Sequence, residues 1–324
     1  MRAPRLLTLL AFTLLAPIPR GLAAEAPITV ATAQNHRGWS DAIVLRNALV
    51  EAVIVPSVGR VMQFRFVGES DGPLWENEKL AGQPMPAEPW KAAHGSFGGD
   101  KTWPAPQSLW NWPPPDVFDT TALTARVNDD RTVTLTSPVS PRFGLRTVRR
   151  ITLDPSAPVM HIATTYEKIS GEPVATSVWI ITQLRDPVAV FLPIPAATKF
   201  AGGLAPQWPA PPGAVERHDD LLRFLRDPLK SYKVGNDAPA IVWVGAKHLL
   251  KISTARVPGA TYPDEGCTAE FYGNADPFPY VELETVSPLQ TLHAGETQTA
   301  TNTYRLARRS GASPEQDARA LLAR

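Results

Sequence analysis

The side chains best suited to chemistry lie close together between residues 75 and 118 of this 324-residue chain. The stretch HGSFGGDKTWPAPQSLWNWPPPD (94–116) places His94, Asp100 and Lys101 among tryptophans and prolines. Flat indole faces beside an acid, a base and a histidine suit a sugar-binding cleft, because rings stack on a sugar while polar groups bind its hydroxyls. Repeated prolines argue against a central strand or a helix. The segment therefore predicts a long functional loop.

Residues 1–24 have the features of a secretory signal peptide. Two arginines precede the apolar run 6–18, and small residues lie directly before Glu25, where we expect cleavage. The apolar run is too short to span a bilayer, and no later stretch is long enough. We therefore expect a periplasmic or secreted protein with no membrane span after signal cleavage.

Charge and composition give no sign of a nucleic-acid partner. The formal net charge is +1, and it falls to −2 without residues 1–24, which carry three arginines and no acidic residue. Cys267 is the single cysteine, so a disulfide within the chain is excluded. The sequence has no phosphate-binding loop and no dinucleotide fingerprint. We expect no cofactor, no bound metal, and a small carbohydrate or a glycan as partner.

Outside residues 75–118, most of the chain has the pattern of β-strands. Thirteen segments, rich in β-branched or aromatic residues, alternate with the period of two that is typical of strands. They are residues 28–33, 49–55, 60–67, 122–127, 132–137, 145–153, 159–169, 174–184, 240–246, 248–254, 268–273, 280–286 and 299–306. Residues 128–130 (Asn-Asp-Asp) indicate a hairpin turn. So many strands without intervening helices predict an all-β sandwich of two large, mainly antiparallel sheets.

One helix signal appears, near the C-terminal end. Ser313 is a typical N-cap, and the proline after it suits the first helical position. Two regions, 75–119 and 195–239, interrupt the strand pattern and predict irregular structure. The second is either another wall of the same cleft or a linker. We expect one sandwich domain at 25–309 and a short helix or tail at 310–324.

Three pieces of the sequence together resemble the galactose-mutarotase-like superfamily. Residues 47–77 are similar to its opening strands, which are joined by a Pro-x-x-Gly turn. GGDKTWPAPQ (98–107) is similar to the signature of a bacterial subfamily known as a domain of unknown function. YVELETVSPLQTLHAGET (280–297) is similar to the strand that carries the superfamily's glutamate. The resemblance spans most of residues 30–306 and implies the β-supersandwich fold.

The resemblance also implies a site chemistry. In aldose mutarotases a glutamate takes a proton from the anomeric hydroxyl and a histidine gives one to the ring oxygen, since ring opening requires both. The resemblance implies Glu284 as this base. Glu282 faces the same side of the strand, and the two carboxylates can raise one another's pKa. The strand expected to supply the acid, 177–187, contains no histidine, so His94 and Lys101 are the predicted proton donors.

Six residues are predicted to bind substrate. They are Asp100, Trp103, Glu282, Arg60, Gln183 and Gln107. A Gly-Gly turn can present Asp100 and Lys101 together, whereas a strand would point them to opposite faces. Trp103 is predicted to be a stacking platform, because it directly follows Asp-Lys-Thr. Arg60 follows the Pro-x-x-Gly turn, and Gln183 can bind a hydroxyl but cannot donate a proton at neutral pH.

Two other interpretations of these motifs are rejected, and one stays open. HGSFG (94–98) differs from a G-x-S-x-G nucleophile elbow and lacks the strand and helix that the elbow requires. The charged cluster 216–220 lacks metal-ligand spacing and indicates a solvated loop. Taken without the resemblance, Glu282 and Glu284 also fit the solvent face of an edge strand.

The sequence thus predicts an exported carbohydrate-binding protein of mutarotase-like fold. If it is an enzyme, we expect an isomerase, a sugar mutarotase or epimerase that uses a glutamate base. The first alternative is a non-catalytic sugar-binding module. The second is a glycan lyase or hydrolase on the same fold, with Glu282 and Glu284 as its acidic pair.

Overall fold

The computed structural model describes residues 27–83 and 96–324 of the chain. Within these residues, twenty-one strands form two antiparallel sheets that pack face to face. The predicted all-β architecture of two large sheets is therefore confirmed. The predicted signal peptide lies outside the described residues.

The strands are numbered in chain order. They are β1 (Thr29–His36), β2 (Trp39–Arg46), β3 (Val50–Val55), β4 (Arg60–Phe66), β5 (Asp100–Ala105), β6 (Thr124–Val127), β7 (Val133–Thr136), β8 (Leu145–Leu153), β9 (Val159–Lys168), β10 (Val174–Arg185), β11 (Ala189–Pro193), β12 (Ala205–Trp208), β13 (Val215–His218), β14 (Leu221–Phe224), β15 (Tyr232–Asn236), β16 (Ala240–Val244), β17 (His248–Thr254), β18 (Ala269–Gly273), β19 (Tyr280–Val286), β20 (Gln290–Leu292) and β21 (Thr297–Arg308).

The described strands divide into a sheet of eleven, sheet I, and a sheet of ten, sheet II. Sheet I runs in the order β1-β2-β3-β4-β5-β10-β19-β18-β15-β12, with β20 paired to one end of β10. Sheet II runs in the order β13-β14-β11-β16-β17-β21-β9-β8-β7-β6. Strands distant in sequence are neighbours in both sheets.

The core lies between the two sheets because alternate side chains of both sheets point inward. On β8, positions alternate almost strictly between buried and partly exposed, as expected for a strand with one covered face. Phe64 and Leu283 from sheet I share this core with Ile162 and Tyr304 from sheet II. The opposite face of sheet I is therefore free to build a site.

The thirteen predicted segments each overlap a strand, and the hairpin turn at 128–130 joins β6 to β7. Region 195–239, predicted to be irregular, instead contains β12 to β15. These strands are only four or five residues long, so the alternation is too short to detect from sequence. The cluster 216–220, predicted to be a solvated loop, begins on β13, an exposed edge strand.

The prediction that DKTWPA cannot be a central strand is wrong. These residues form β5, which lies between β4 and β10. The backbone N–H and carbonyl of Val178 on β10 both bond Ser287, on the side of β10 away from β5. Pro104 of β5 is paired with Val178, so its nitrogen points away from β10. On that side β5 pairs with β4 at Asp100 alone, so no ladder bond is lost. The proline carbonyl accepts a bond from the Trp110 indole at 2.7 Å.

Helices are few in the described chain. The short helix α1 (Asp116–Asp119) follows β5, and α2 (Pro314–Leu322) ends the fold. The predicted Ser313 N-cap is confirmed, and the side chain of Gln316 completes a capping box with it. Leu321 of α2 packs against sheet II, so this helix is part of the folded unit. In the described part of the chain, neither helix has the length and apolar character needed to cross a bilayer.

Candidate active site on the outer face of sheet I

Alternation on β19 brings its polar side chains to the outer face of sheet I. Tyr280, Glu282 and Glu284 are alternate residues and therefore share this face. Strand register places Glu284 beside Glu270 of β18 on one side and beside Ile181 of β10 on the other. Because β19 is central and both its glutamates are buried, the interpretation of a solvent-facing edge strand is wrong.

Glu284 is the best-supported acid–base group on this face. Its Oε2 accepts a hydrogen bond from the Trp179 indole at 2.6 Å and lies 2.8 Å from the Lys233 ammonium. Only 1% of the residue is exposed. Burial raises the pKa of Glu284 to about 7, Glu282 adds to this effect, and Lys233 opposes it. Such a carboxyl group can both accept and release a proton near neutral pH.

Lys233 also binds a second carboxylate, which the sequence analysis did not identify. Its ammonium lies 2.9 Å from Glu270 Oε2 and above the Trp179 ring, 4.3 Å from the centroid. Burial raises the pKa of Glu270 to about 7. Burial alone would lower the pKa of Lys233, but Glu270 and Glu284 more than compensate and raise it. One ammonium is therefore shared between two carboxyl groups.

Glu282 is the third carboxyl group at this site. Its Oε1 accepts a 2.8 Å hydrogen bond from Gln183 Nε2, and its carboxyl contacts that of Glu284. Gln183 in turn accepts a hydrogen bond from the Ser96 hydroxyl. Burial raises the pKa of Glu282. The sequence analysis expected the two carboxylates to raise one another's pKa; in the structure burial is the largest cause of the rise in both. We call Trp179, Lys233, Glu270, Glu282 and Glu284 the Glu284 cluster.

Lys101, one of the two predicted proton donors, lies on the same face two strands away. It pairs with Ile181, which also pairs with Glu284, so the backbones are about 10 Å apart. Its ammonium donates to Asp119 Oδ1 at 2.8 Å and lies above the Trp103 ring, 3.8 Å from the centroid. Burial lowers the pKa of Lys101, although Asp119 opposes this. Lys101 is thus already held by a carboxylate of its own.

Asp119 accepts more bonds than this one. The Trp103 indole donates to the same Oδ1 at 3.0 Å, and so does Arg60 at 3.1 Å. Burial tends to raise the pKa of Asp119, but Lys101 and Arg60 hold it below its ordinary value. Asp119 is therefore a charged anchor rather than a proton-transfer group. We call Arg60, Lys101, Trp103 and Asp119 the Asp119 cluster.

Asp100 does not belong to the site, which corrects its prediction as a substrate-binding residue. On β5 it points to the face opposite Lys101, because adjacent strand residues alternate. There it is fully buried between the sheets, ion-paired with Arg149 and hydrogen-bonded at 2.6 Å to both Thr182 and Tyr304. The Gly-Gly turn that was expected to present both residues precedes the strand instead.

The structure also revises the roles of Arg60 and Trp103. Arg60 is 1% exposed and donates to the Gly98 carbonyl at 2.9 Å and to Asp119, so it positions the loop and α1 rather than a ligand. Burial lowers its pKa. Trp103 is also buried, and the Lys101 ammonium covers one face of its ring. Neither residue is placed to contact a sugar directly.

The remaining predicted site residues are Gln107 and His94. Gln107 begins a 3₁₀ turn, where its carbonyl accepts the backbone N–H groups of Trp110 and Asn111. A ligand contact by its side chain stays a prediction. His94 lies outside the described residues, so its role as proton donor also stays a prediction.

Aromatic side chains lie at both ends of this face along the strand direction. At one end, Trp103 packs edge-on against Trp179 and Trp112, with ring centroids 5.5 and 6.4 Å away. Trp112 is 60% exposed. At the other end, the Trp75 ring lies 4.7 Å from that of Tyr280. The carboxyl groups therefore lie between two aromatic walls, which suits a ring-shaped polar ligand.

Residues 195–239 supply a further wall, one of the two roles considered for them. Gln207 of β12 donates to Glu270 at 2.5 Å. A bulge next to it places Trp208 opposite Lys233, on the site face. Trp208 is half exposed and packs edge-on against Tyr272, with centroids 5.6 Å apart. These contacts favour the wall over the linker.

Several important residues were missed because sequence gives little signal for them. Glu270 and Lys233 are single charges inside the short strands β18 and β15, where they look like ordinary solvent-facing positions. Trp179 lies on the strand 177–187, where the resemblance led us to expect a histidine. Asp119 follows the proline-rich stretch. The one local signal available is a charged residue inside a strand whose other residues are mostly apolar, as with Lys233 and Glu270.

Residues 41–307 match the family described as "Domain of unknown function (DUF4380)". This chain belongs to that family. The match covers most of both sheets and includes the Asp119 and Glu284 clusters. No curated protein matches the chain significantly.

Solved structures show the same fold at low sequence identity. A galactose mutarotase-like protein from Clostridium acetobutylicum aligns with a TM-score of 0.56 and 10% identity, covering 87% of this chain and 99% of the other. A putative aldose 1-epimerase from Escherichia coli K12 aligns with a TM-score of 0.53 and 11% identity, covering 82% and 98%. A galactose 1-epimerase from Lactobacillus acidophilus aligns with a TM-score of 0.52 and 12% identity, covering 87% and 99%. The galactose mutarotase-like fold is thus confirmed.

Proposed function

We propose that this protein is exported, binds a neutral carbohydrate on the outer face of sheet I, and interconverts sugar anomers or epimers with Glu284 as general base. The fold it shares with mutarotase-like proteins supports the class of ligand. The observation that carries the chemistry is the environment of Glu284. Its carboxyl is buried between aromatic walls, is held by Trp179 and Lys233, and has a pKa of about 7.

The geometry suits ring opening and closing of a sugar. Glu284 takes the proton from the anomeric hydroxyl, a carbonyl forms at that carbon, and the bond to the ring oxygen breaks as that oxygen receives a proton. Closure on the other face of the carbonyl reverses these steps and gives the other anomer. The reaction requires a base and an acid only a few ångströms apart, which two same-face residues on one strand provide.

Glu282 is the proton donor that the described contacts favour. Burial raises its pKa, its carboxyl contacts that of Glu284, and Gln183 holds it in place. With two carboxyl groups so close, ionisation of one favours protonation of the other. Lys101 is bound to Asp119 and so is less available to transfer a proton.

A second candidate function is sugar binding without catalysis. It is favoured by one observation, that Glu284, Glu282 and Glu270 each have a protein partner already. A carboxylate held by such a partner keeps further lone pairs, so it can serve as a fixed hydrogen-bond acceptor for a sugar hydroxyl with no proton transfer.

Exchange NMR and polarimetry on a panel of free hexoses and pentoses test the proposal. The wild type should accelerate anomer exchange, and Glu284→Gln should reduce the rate about 100-fold or more while sugar binding is retained. Gln keeps the shape and the acceptor oxygen, so it separates binding from proton transfer.

Other outcomes are equally informative. Binding without acceleration by the wild type would support the non-catalytic candidate and overturn the enzyme. New products from a polymeric glycan would instead indicate a lyase or hydrolase. Absence of binding to every sugar would reject the carbohydrate function itself.

A further inference from the structure

A pocket of about 370 Å³ lies where the chain crosses from sheet II to sheet I. It is lined by residues 141–144, which precede β8, by residues 170–174, which lead from β9 into β10, and by Lys168, the last residue of β9. Its volume lies within the range of about 300–1,000 Å³ that is typical of small-molecule sites. The pocket shares no residue with the Glu284 cluster or the Asp119 cluster, and the proposed function does not use it.

Lys168 carries a buried charge in this pocket. Only 2% of the residue is exposed. Its ammonium donates to the Phe143 carbonyl at 2.7 Å, and within the described residues it forms no ion pair with a carboxylate. Buried lysines are almost always paired with an opposite charge, because it is costly to remove an ammonium from water. The carbonyl satisfies one N–H group but leaves the charge uncompensated.

Space is open beside this ammonium. A Cβ atom added at Gly171 would lie 3.7 Å from Lys168 Nζ, and beyond its neighbours in the chain it would meet no other atom within 4 Å. Gly171 is exposed and has a φ of 78°, a backbone conformation that favours glycine. A ligand atom can therefore approach Nζ from the side of Gly171. Because an ammonium has three donors, two remain for such a ligand.

Arg142 adds a second positive charge to the lining. Its guanidinium donates to the carbonyls of Leu109 at 2.7 Å and Trp110 at 3.4 Å, and it lies 5.3 Å from the centroid of the Phe143 ring. These contacts hold the guanidinium beside the pocket. None of them carries a negative charge, and Arg142 forms no ion pair in the part of the chain that the structure describes. Its charge is therefore uncompensated as well.

The acidic residues nearby do not neutralise these two cations. Glu172 lines the pocket, but it is exposed and forms no ion pair with Lys168 or Arg142. Glu167 points to the opposite face of β9 from Lys168 and pairs with an arginine of β8. The carboxylate of Glu296, whose backbone carbonyl bonds the Lys168 N–H, accepts a bond within its own turn. Two cations thus face one exposed acidic side chain, so the pocket carries a net positive charge.

We propose that this pocket binds an oxyanion, a phosphate, sulfate or carboxylate group, with Lys168 as its main contact and Arg142 as its second. The anion supplies the counter-charge that Lys168 lacks, through charge-assisted hydrogen bonds, which are the strong ones. The pocket is larger than one such group requires, so it also admits an oxyanion carried by a larger molecule. The site is independent of the sugar chemistry proposed for Glu284.

Calorimetric titration at constant ionic strength tests the site. The probes are inorganic phosphate, sulfate and acetate against a chloride background, and glucose 6-phosphate beside glucose as its neutral match. The wild type should bind at least one of these oxyanions. Lys168→Met should weaken that binding about tenfold or more, because it removes both the counter-charge and the charge-assisted hydrogen bonds.

Three further variants act on other charges. Arg142→Gln should weaken oxyanion binding about threefold, a smaller effect because this side chain is exposed and solvent screens its charge. Glu172→Gln should strengthen binding about two- to threefold, because it removes the one negative charge in the lining. Arg150→Gln is the matched control, since it removes an exposed positive charge elsewhere on sheet II and should leave the affinity unchanged.

The outcomes also identify the source of the oxyanion. If glucose 6-phosphate binds more tightly than both phosphate and glucose, and Lys168→Met removes the difference, a sugar carries the anion. Equal affinities for phosphate and glucose 6-phosphate would instead indicate a site for the free ion. If Lys168→Met fails to fold by thermal melting, opposite changes in Arg142→Gln and Glu172→Gln support the site, and no change in either overturns it. Absence of oxyanion binding by the wild type, or unchanged binding by a folded Lys168→Met, also overturns the site and leaves the proposed function as it stands.

Discussion

Two groups of side chains on sheet I share the same local arrangement, in which a lysine, a tryptophan and a carboxylate meet. In the Asp119 cluster, the ammonium of Lys101 and the indole N–H of Trp103 bind one oxygen of Asp119. In the Glu284 cluster, Lys233 and Trp179 bind one oxygen of the carboxylate in the same way. In each cluster the ammonium also lies above the ring of its own tryptophan.

Their electrostatic neighbours differ, and that difference changes the chemistry. Asp119 has two cationic neighbours, Lys101 and Arg60, which hold its pKa low. Burial raises the pKa of Glu284 to about 7; Glu282 adds to the rise, and Lys233, which Glu284 shares with Glu270, opposes it. The same three-residue contact thus holds a carboxylate of lowered pKa in one place and a carboxyl group of raised pKa in the other. The balance of surrounding charge decides between these roles, because both clusters are buried.

The largest expected effect is on stability, and it tests whether Asp119 and Glu284 differ in their surrounding charge. Asp119→Asn removes the counter-charge of two buried cations and should lower the free energy of unfolding by about 3–5 kcal/mol. Glu284→Gln removes one of several acidic neighbours and should leave stability at pH 8 unchanged or higher. Urea unfolding at pH 8 measures both variants. An equal loss in the two would show that the clusters do not differ as described.

The next effect is on the pKa of Glu284, and it compares the influence of Lys233 with that of Lys101. Lys233→Met removes the ammonium that opposes the rise in the pKa of Glu284, so that pKa should move upward by about 1–3 units. Carboxyl ¹³C NMR titration measures this shift directly, whether or not the protein is catalytic.

Lys101→Met is the matched control for that measurement. It makes the same change in the Asp119 cluster, where Lys101 acts on Glu282 rather than directly on Glu284, so the pKa of Glu284 should shift less than in Lys233→Met. If the two lysine variants shift Glu284 equally, the clusters act as one electrostatic unit and the distinction drawn between them is wrong.

The smallest effect concerns the pH dependence of stability. Burial raises the pKa of Glu270 from 4.5 to about 7, so between these pH values the folded state holds a proton that the unfolded state has lost. Stability therefore falls as pH rises through this window. Glu270→Gln should make the fall shallower by up to about 1.4 kcal/mol per pH unit. Unfolding measured from pH 5 to pH 7 tests this, and an unchanged slope would contradict the assignment.

Much of the fold could be predicted because strand patterning is local. Alternation of apolar residues marks most long strands, although β2 was not among the predicted segments, and Ser313 marks the final helix by a capping pattern of four residues. The short strands between residues 195 and 239 were missed because four or five residues carry too little pattern. Strand β5 was missed because a proline normally excludes a central position, whereas here β4 diverges and leaves that position unpaired.

The candidate site could be predicted only in part. The sequence analysis found Glu284, Glu282 and Gln183, which lie together. It placed Asp100 with them, but a one-residue step along a strand reverses the face, and Asp100 lies between the sheets instead. It chose Lys101 as a candidate donor without any sign of Asp119, which holds it through a contact formed only in the folded chain.

The sequence by itself determined the class of fold, the alternation that gives each strand two faces, and the presence of two glutamates on one of them. These are relations between residues two to four positions apart, which local backbone geometry fixes. Only the tertiary structure decided the surroundings of Glu284, because Trp179 and Lys233 reach it from strands far away in sequence. The pKa of a buried group depends on such neighbours, and strand pairing, which no local pattern encodes, brings them together.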